Sequence, residues 1–550
     1  MQWVMKLFFV KPLISWRCSD SGARLRRAFL SAGLFLLTGP LTAAVVLQIG
    51  QNFTGTTFGT DSQAQPADGN GAVGPQHFVE FVNGRFSVYD KATGNRVRTM
   101  SDMAFWTNAG VTFGATIEVT DPRTVYDTYS QRWFMSQVDA NVSSRRQQAN
   151  RFLLAVSDSA DPTGTWHAFA FIADPVHQYF ADFPTLGVDA QGVYLGGDLF
   201  RTASSSAGPT LVAIPKSGLL ATPPSIVSRT SLGQLTYSSR GEILQPAITT
   251  GAASGDEVAL AVGNLGLDLQ LHTTLIGSIL HNNDTAGKAT LGTAHVFTVP
   301  GYTVPINPAQ PDGSNNLDDG DARFSASVRR VGNILYAVHG GQVNGHAAIR
   351  WYRIDAQNMV LLQAGTVADP SLDLYYPSIA ANDAGVVVIA CNGSSADVYV
   401  SSYATIGETV NGVLAFNNGL TLLQAGLASY QSTDFTGSSR WGDYSATSVD
   451  PEDPSRFWTI QTYAVDTTVW ATQITELIAV PLRLTVQILQ DNVQVSWPAS
   501  ATGVALQFSP NLSGASNWTP VSQSPVTANN QAVVTLPSTG PGGFFRLAAP

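Results

Sequence analysis

Seven times along the chain the same local pattern recurs: a strand-like segment, a turn rich in Asp or Gly, and a second strand-like segment. The copies begin at Asp68-Gly-Asn-Gly-Ala-Val-Gly, Asp121-Pro-Arg-Thr-Val-Tyr-Asp, Asp182-Phe-Pro-Thr-Leu-Gly-Val-Asp, Gln245-Pro-Ala-Ile-Thr-Thr, Asp321-Ala-Arg-Phe-Ser-Ala, Tyr375-Tyr-Pro-Ser-Ile-Ala-Ala-Asn and Asp443-Tyr-Ser-Ala-Thr-Ser-Val-Asp. Aligned on Asn70, Pro122, Pro184, Pro246, Ala322, Pro377 and Ser445, they lie 52, 62, 62, 76, 55 and 68 residues apart. A period of about 60 holds four strands of ordinary length with their loops, the content of one propeller blade. Long amphipathic helical patterns are scarce, and short runs of Val, Ile, Tyr, Phe and Thr between Gly, Asp, Asn and Pro dominate, so the fold class is all-β. Seven units predict a seven-bladed β-propeller; stacked β-sandwiches are the alternative. After the seventh anchor only three strands remain, near 445–449, 457–463 and 469–477. The fourth is expected from residues 45–58, which would leave no open sheet edge.

The flanking segments read differently. From about residue 480 the pattern becomes a compact unit of alternating apolar residues and Gly, Asn, Ser and Pro turns, with Trp497 as its core residue. This predicts a small β-sandwich over 480–550. At the other end, Arg24-Leu25-Arg26-Arg27 precedes an apolar run over 28–37 and small residues up to Ala44. Those are the parts of a secretory signal, and the run is short for a bilayer span. The expected division is 1–44 signal peptide, 45–479 propeller and 480–550 sandwich, with secretion to the periplasm, cell surface or medium and no integral membrane segment in the mature chain.

Charge narrows the partners. With 39 acidic against 29 basic residues the chain carries −10. Loss of residues 1–44 would remove six basic side chains and one acidic one, leaving −15. Such a balance gives no basis for docking on a phosphate backbone, so nucleic acid is excluded. Gly-rich stretches lack the phosphate-loop Lys-Ser/Thr and the strand-to-helix setting, so no nucleotide site is expected. Of the two cysteines, Cys18 leaves with the signal; Cys391, in Val-Val-Val-Ile-Ala-Cys, reads as a buried strand residue.

The phrases Asp68 to Asn83, Ala155 to Trp166 and Trp441-Gly-Asp-Tyr-Ser resemble a family of secreted, largely uncharacterised bacterial β-propeller proteins, over roughly residues 48–477. The resemblance implies the fold and secretion, and no assigned reaction. More distantly, Ser159 to Trp166 looks like the Asp-box turn of sialidases, with one extra residue between Asp161 and Gly164. The terminal unit is similar to fibronectin type III modules.

In a propeller the first strand of every blade lines the central channel, so equivalent strand starts gather at one mouth. The aligned columns bring Asp68, Asp121, Asp182, Asp321, Tyr376, Asp443 and Tyr444 there. Arg123 and Arg323 lie two positions further in, three blades apart and expected on opposite sides, in two Asp-x-Arg pairs. Arg440 and Trp441 stand beside the seventh start. An acidic, aromatic mouth with arginines suits a carbohydrate or protein ligand, with the aromatics exposed for contact. The same Asp-Arg pairs could instead lock neighbouring blades. A sialidase-like glycoside hydrolase, or a polysaccharide lyase, is the rival reading. Hydrolysis would need Arg123, Arg323 and Arg440 to converge, with Tyr444 or Tyr376 as nucleophile. Finally, Asp312-Gly-Ser-Asn-Asn-Leu-Asp318-Asp319-Gly-Asp321 concentrates oxygen donors. Asp312, Asp318 and Asp319 are the candidate Ca²⁺ ligands, and an Asx-rich turn is the other reading. No other cofactor is indicated.

Overall fold

A computed structural model describes residues 5–6, 45–143, 148–250, 255–285, 287–417, 419–433, 439–489, 491–501, 504–510, 518–538 and 543–548. The apolar run over 28–37, the expected cleavage point and Cys18 lie outside them. Two compact units divide the chain: residues 47–479 form one, and residues 1–46 with 480–550 form the other.

The larger unit is built from up-and-down antiparallel sheets that follow the sequence repeats. The first repeat supplies Asn70–Val73, His77–Val82, Arg85–Asp90 and Arg96–Met100. The second runs from Ile117–Asp127 out to Trp166–Ile172, and the third from Phe180–Val188 out to Thr230–Ser231. The fourth, fifth and sixth begin at Glu242–Pro246, Arg329–Val331 and Asp373–Ala381. In the last repeat Ala446–Val449, Arg456–Asp466 and Val469–Pro481 are joined on the outside by Val45–Thr57, so the N-terminal segment supplies the strand that the repeat lacks. Each inner strand lies against that of the next repeat, and the seventh lies against the first. This is the architecture of a β-propeller.

Packing explains why the strands read as continuous apolar runs. Each sheet is covered on both faces by its neighbours, so both sides of a strand are buried. Nine of the ten residues of Val386–Ser395 are buried, Cys391 among them, and burial pushes its thiol up to about 12. The Asp-box-like turn joins the third and fourth strands of the second repeat. There Thr163 N donates to Asp161 Oδ1 at 2.9 Å, and Arg98 of the first repeat donates to Thr163 O at 2.6 Å. The turn ties two sheets at their outer edges.

A single irregularity at the entry of the inner strands shapes the mouth. The pairing register breaks between Thr120 and Arg123, Asp182 and Thr185, Glu242 and Gln245, and Tyr375 and Ser378. Within each break one non-glycine residue takes a left-handed φ: Asp121 at 61°, Phe183 at 50°, Ile243 at 56° and Tyr376 at 45°. These are β-bulges, which turn a side chain away from the ladder and towards the axis. They also correct the alignment of the fourth repeat. Gln245 is the counterpart of Arg123 and not of Asp121, a shift of two residues.

The smaller unit holds two four-stranded sheets. One contains Thr485–Leu489, Asn492–Pro498, Gln531–Pro537 and Val526–Ala528; the other contains Ala505–Ser509, Thr519–Pro520, Phe544–Ala548 and the pair Met5–Lys6. Val495, Trp497 and Val534 of the first pack in one apolar cluster with Leu506 and Leu547 of the second. Among the described residues no helix is long and apolar enough to cross a membrane.

Candidate functional site

Phe183 and Ile243, placed by their bulges, join Tyr444 in one buried cluster at the strand entries. Phe183 and Tyr444 meet edge to face at 5.7 Å. Onto this plug the arginines stack. The Arg123 guanidinium lies 3.5 Å from the Tyr444 ring centre and 5.1 Å from that of Phe183, and Arg323 lies 4.5 Å from the Phe183 ring. Cation–π attraction favours this alternation where water is excluded. Arg123 and Arg323 therefore do not stand on opposite walls of an open channel. Both cover the same ring, because Phe183 fills the axis between them.

Their partners differ, which corrects the expectation of two matched Asp-x-Arg pairs. Arg323 grips Asp321 through Nε and Nη2 at 2.8 and 2.6 Å. Arg123 instead donates to the carbonyls of Pro184 and Ser325, both at 2.9 Å, bracing its own strand to the third and fifth repeats. Gln245 copies it, donating to Phe324 O at 2.8 Å. Asp121, turned by its bulge, accepts from Phe183 N at 3.2 Å and from the Thr120 hydroxyl at 2.9 Å. Burial, and then the charges of Asp182 and Asp443, push its carboxyl up to about 7.

A second knot joins the first and seventh repeats. Asp68 accepts from Asp443 N at 3.0 Å and from Asn83 Nδ2 at 2.8 Å, while Asn83 Oδ1 accepts from Asp121 N at 3.0 Å. Asp68 is buried, and desolvation followed by Asp443 and Asp121 raises its carboxyl well above the usual range. Arg440 holds both oxygens of Asp443 at 2.6 and 2.7 Å. The Leu317–Asp318 segment pairs in parallel with Ser439–Arg440, and Tyr376 Oη donates to Asp318 O at 3.1 Å. The acidic loop is thus part of the mouth.

The proposed metal ligands differ in their partners there. Asp312 Oδ2 accepts from the Tyr399 hydroxyl at 3.4 Å, and Asp318 Oδ1 closes a turn onto Gly320 N at 2.9 Å. Asp319 is buried with neither carboxyl oxygen hydrogen-bonded, and desolvation followed by Asp318 pushes it up to about 9. Among the described residues no group of three or more His, Cys, Asp or Glu is placed to hold a metal.

The aromatic residues are also corrected. Tyr376, Trp441 and Tyr444 are 6%, 1% and 3% exposed, so they belong to the support and not to a contact surface. Trp441 Nε1 donates to Asn392 Oδ1 at 3.0 Å. Both tyrosines are raised well above their ordinary value, first by burial, the reverse of what a nucleophile needs. The three arginines are each engaged elsewhere and do not converge on an unpaired carboxylate. What the mouth leaves partly exposed is Asp182, Asp321, Arg323, Arg440 and Asp443.

Sequence reasoning left Phe183 and Asn83 off the site. Phe183 stood in the aligned column, but an apolar residue at a strand start reads as core. Asn83 sits in an Asn-Gly pair between two strands, where hairpin chemistry accounts for it without a site.

No protein-family model and no curated protein matches the chain. Among solved structures it is similar to the Dos1 propeller at 9% identity and a TM-score of 0.37, over 78% of this chain and 95% of that one. It is similar to Drosophila Semaphorin 1b, extracellular domains 1–2, at 8% and 0.36, over 80% and 88%. A thermostable family-43 glycoside hydrolase gives 10% and 0.29, over 70% and 94%. Likenesses this distant carry no argument about what this chain binds, and the propeller assignment rests on its own sheets.

Proposed function

We propose that the chain is a secreted binding or scaffolding protein. Its larger unit is a seven-bladed propeller closed by the N-terminal strand, and residues 480–550 are a fibronectin-III-like sandwich that spaces or anchors it. Its ligand is a carbohydrate or a protein, engaged at the mouth. The observation that carries this reading is the pair of partly exposed Arg–Asp contacts, Arg323–Asp321 through Nε and Nη2 and Arg440–Asp443 through Nη2 to both oxygens, held at the rim by a buried layer. Donors and acceptors fixed side by side on a rigid support suit the hydroxyls and carboxylates of a sugar or an acidic segment, since little side-chain entropy remains to be lost on binding. The buried tyrosines and the engaged arginines favour binding over sialidase-type hydrolysis.

The test is a glycan array with the purified chain, alongside hydrolysis assays on every hit. Binding that weakens at least about tenfold in Arg440→Gln and Asp443→Asn, without turnover, supports the reading. Turnover abolished by Tyr444→Phe would replace it with the hydrolase. Affinity unchanged in both rim variants would move the site away from the mouth.

A further inference from the structure

The inner strands end, at the opposite side of the channel from the mouth, around a second opening. It encloses a cavity of about 40 Å³ walled by Val73, Tyr126, Ile248, Val331, Ala381 and Val449, from six of the repeats. Into this apolar wall projects one cation, Arg329. Its Nη2 donates to Thr447 O at 2.5 Å, so the side chain reaches from the fifth repeat to the seventh. Its Nε is buried with no hydrogen-bond partner. No carboxylate lies within ion-pair distance of it among the described residues. The acidic groups beside Tyr126 are Asp127 and Glu452. Asp127 is held by Lys216 at 2.7 Å, and Glu452 is exposed.

The contrast with the mouth is chemical. There Arg323 and Arg440 are neutralised by carboxylates, whereas Arg329 is part-buried at a cavity, its Nε enclosed without a partner and no carboxylate beside it among the described residues. Burial pulls its guanidinium down to about 10, so it still carries its proton at neutral pH. A charge kept in apolar surroundings without a partner is costly, and an incoming anion removes that cost while adding charge-assisted hydrogen bonds. The cavity has room for a carboxylate group, since about 10–15 Å³ of such volume already admits a water molecule. Around it the wall is mainly aliphatic, with the hydroxyl residues Thr128, Thr250 and Ser448 interspersed, a lining that suits a short hydrocarbon carrying one polar end.

We propose that this opening is an anion site for a small monocarboxylic acid, with Arg329 binding the carboxylate and the surrounding Val, Ile and Ala side chains packing on its short apolar body. The site is independent of the mouth and of whatever binds there.

Calorimetric titration of the full chain with butyrate, and with butanamide as the neutral isostere, tests it. Saturable binding of butyrate and none of butanamide is expected. Arg329→Gln should weaken butyrate at least about tenfold, and Arg329→Lys should retain part of the affinity as a point charge. Equal binding of the acid and the amide, absence of saturation, or undiminished affinity in Arg329→Gln would each overturn the proposal. The comparison of acid with amide uses the unaltered chain, so it decides the matter even where a variant fails to fold.

Discussion

Glu80 ties the closing strand pair of the larger unit to its first sheet, and Glu80→Ala is the perturbation that measures that tie. The carboxylate is fully buried in the second strand of the first repeat. Oε1 accepts from Thr56 N at 2.9 Å and from the Thr472 hydroxyl; Oε2 accepts from the hydroxyls of Thr56 and Tyr89, both at 2.8 Å. Thr56 lies on the N-terminal strand and Thr472 on the strand it pairs with, so one side chain ties the closing pair to the first sheet. Hydrogen bonds to a charged group contribute about 1.5–3 kcal/mol each, but the hydroxyls can find other acceptors and Thr56 N also reaches Thr472 Oγ1 at 2.9 Å. Removal also relieves the burial of a charge. The net expectation is a loss of about 3–5 kcal/mol, with Glu80→Gln near about 1 because the amide keeps an acceptor for Thr56 N. Hydrogen exchange read by mass spectrometry should show protection lost first over 45–57 and 469–481. A change below about 1 kcal/mol in Glu80→Ala, or a loss of protection spread evenly over all repeats, would refute this account of closure.

Three further outcomes follow from the same geometry. Trp441→Ala should destabilise by about 3–5 kcal/mol in thermal unfolding, since it empties a core position and orphans the Asn392 acceptor, whereas Arg440→Gln at the rim should change stability little. Asp121 holds its proton up to about pH 7 in the folded chain and ionises near its ordinary value when unfolded, so its stabilising contribution is complete in acid and is lost as pH rises through about 7. The melting temperature of the parent chain should therefore fall between about pH 4 and about pH 7 more steeply than that of Asp121→Asn, and parallel curves would contradict it. Cys391 should resist thiol reagents in the native protein at neutral pH and react only after denaturation; rapid native labelling would show that its strand opens.

The repeat, the all-β class and the missing fourth strand of the last repeat were legible in the sequence because a blade is a local object. Its four strands follow one another within about 60 residues, so period, turn chemistry and strand count survive in the linear order. The pairing of Val45–Thr57 with Val469–Pro481 could be inferred the same way, from one strand too few at one end and one too many at the other. The mouth was not local. Which side chains meet at the axis depends on one-residue bulges at Asp121, Phe183, Ile243 and Tyr376, and a bulge leaves no mark that distinguishes Phe183 from an ordinary core residue. Hence Asp321 pairs with Arg323 while Asp121 turns away from Arg123, although the two triplets read alike. The aromatic residues expected at the surface are buried for a related reason: strands converging on a common axis leave little room there, and Phe183, Ile243 and Tyr444 fill it. What reaches solvent is then decided by the residues left over at the rim, a matter of three-dimensional crowding that spacing along the chain does not encode.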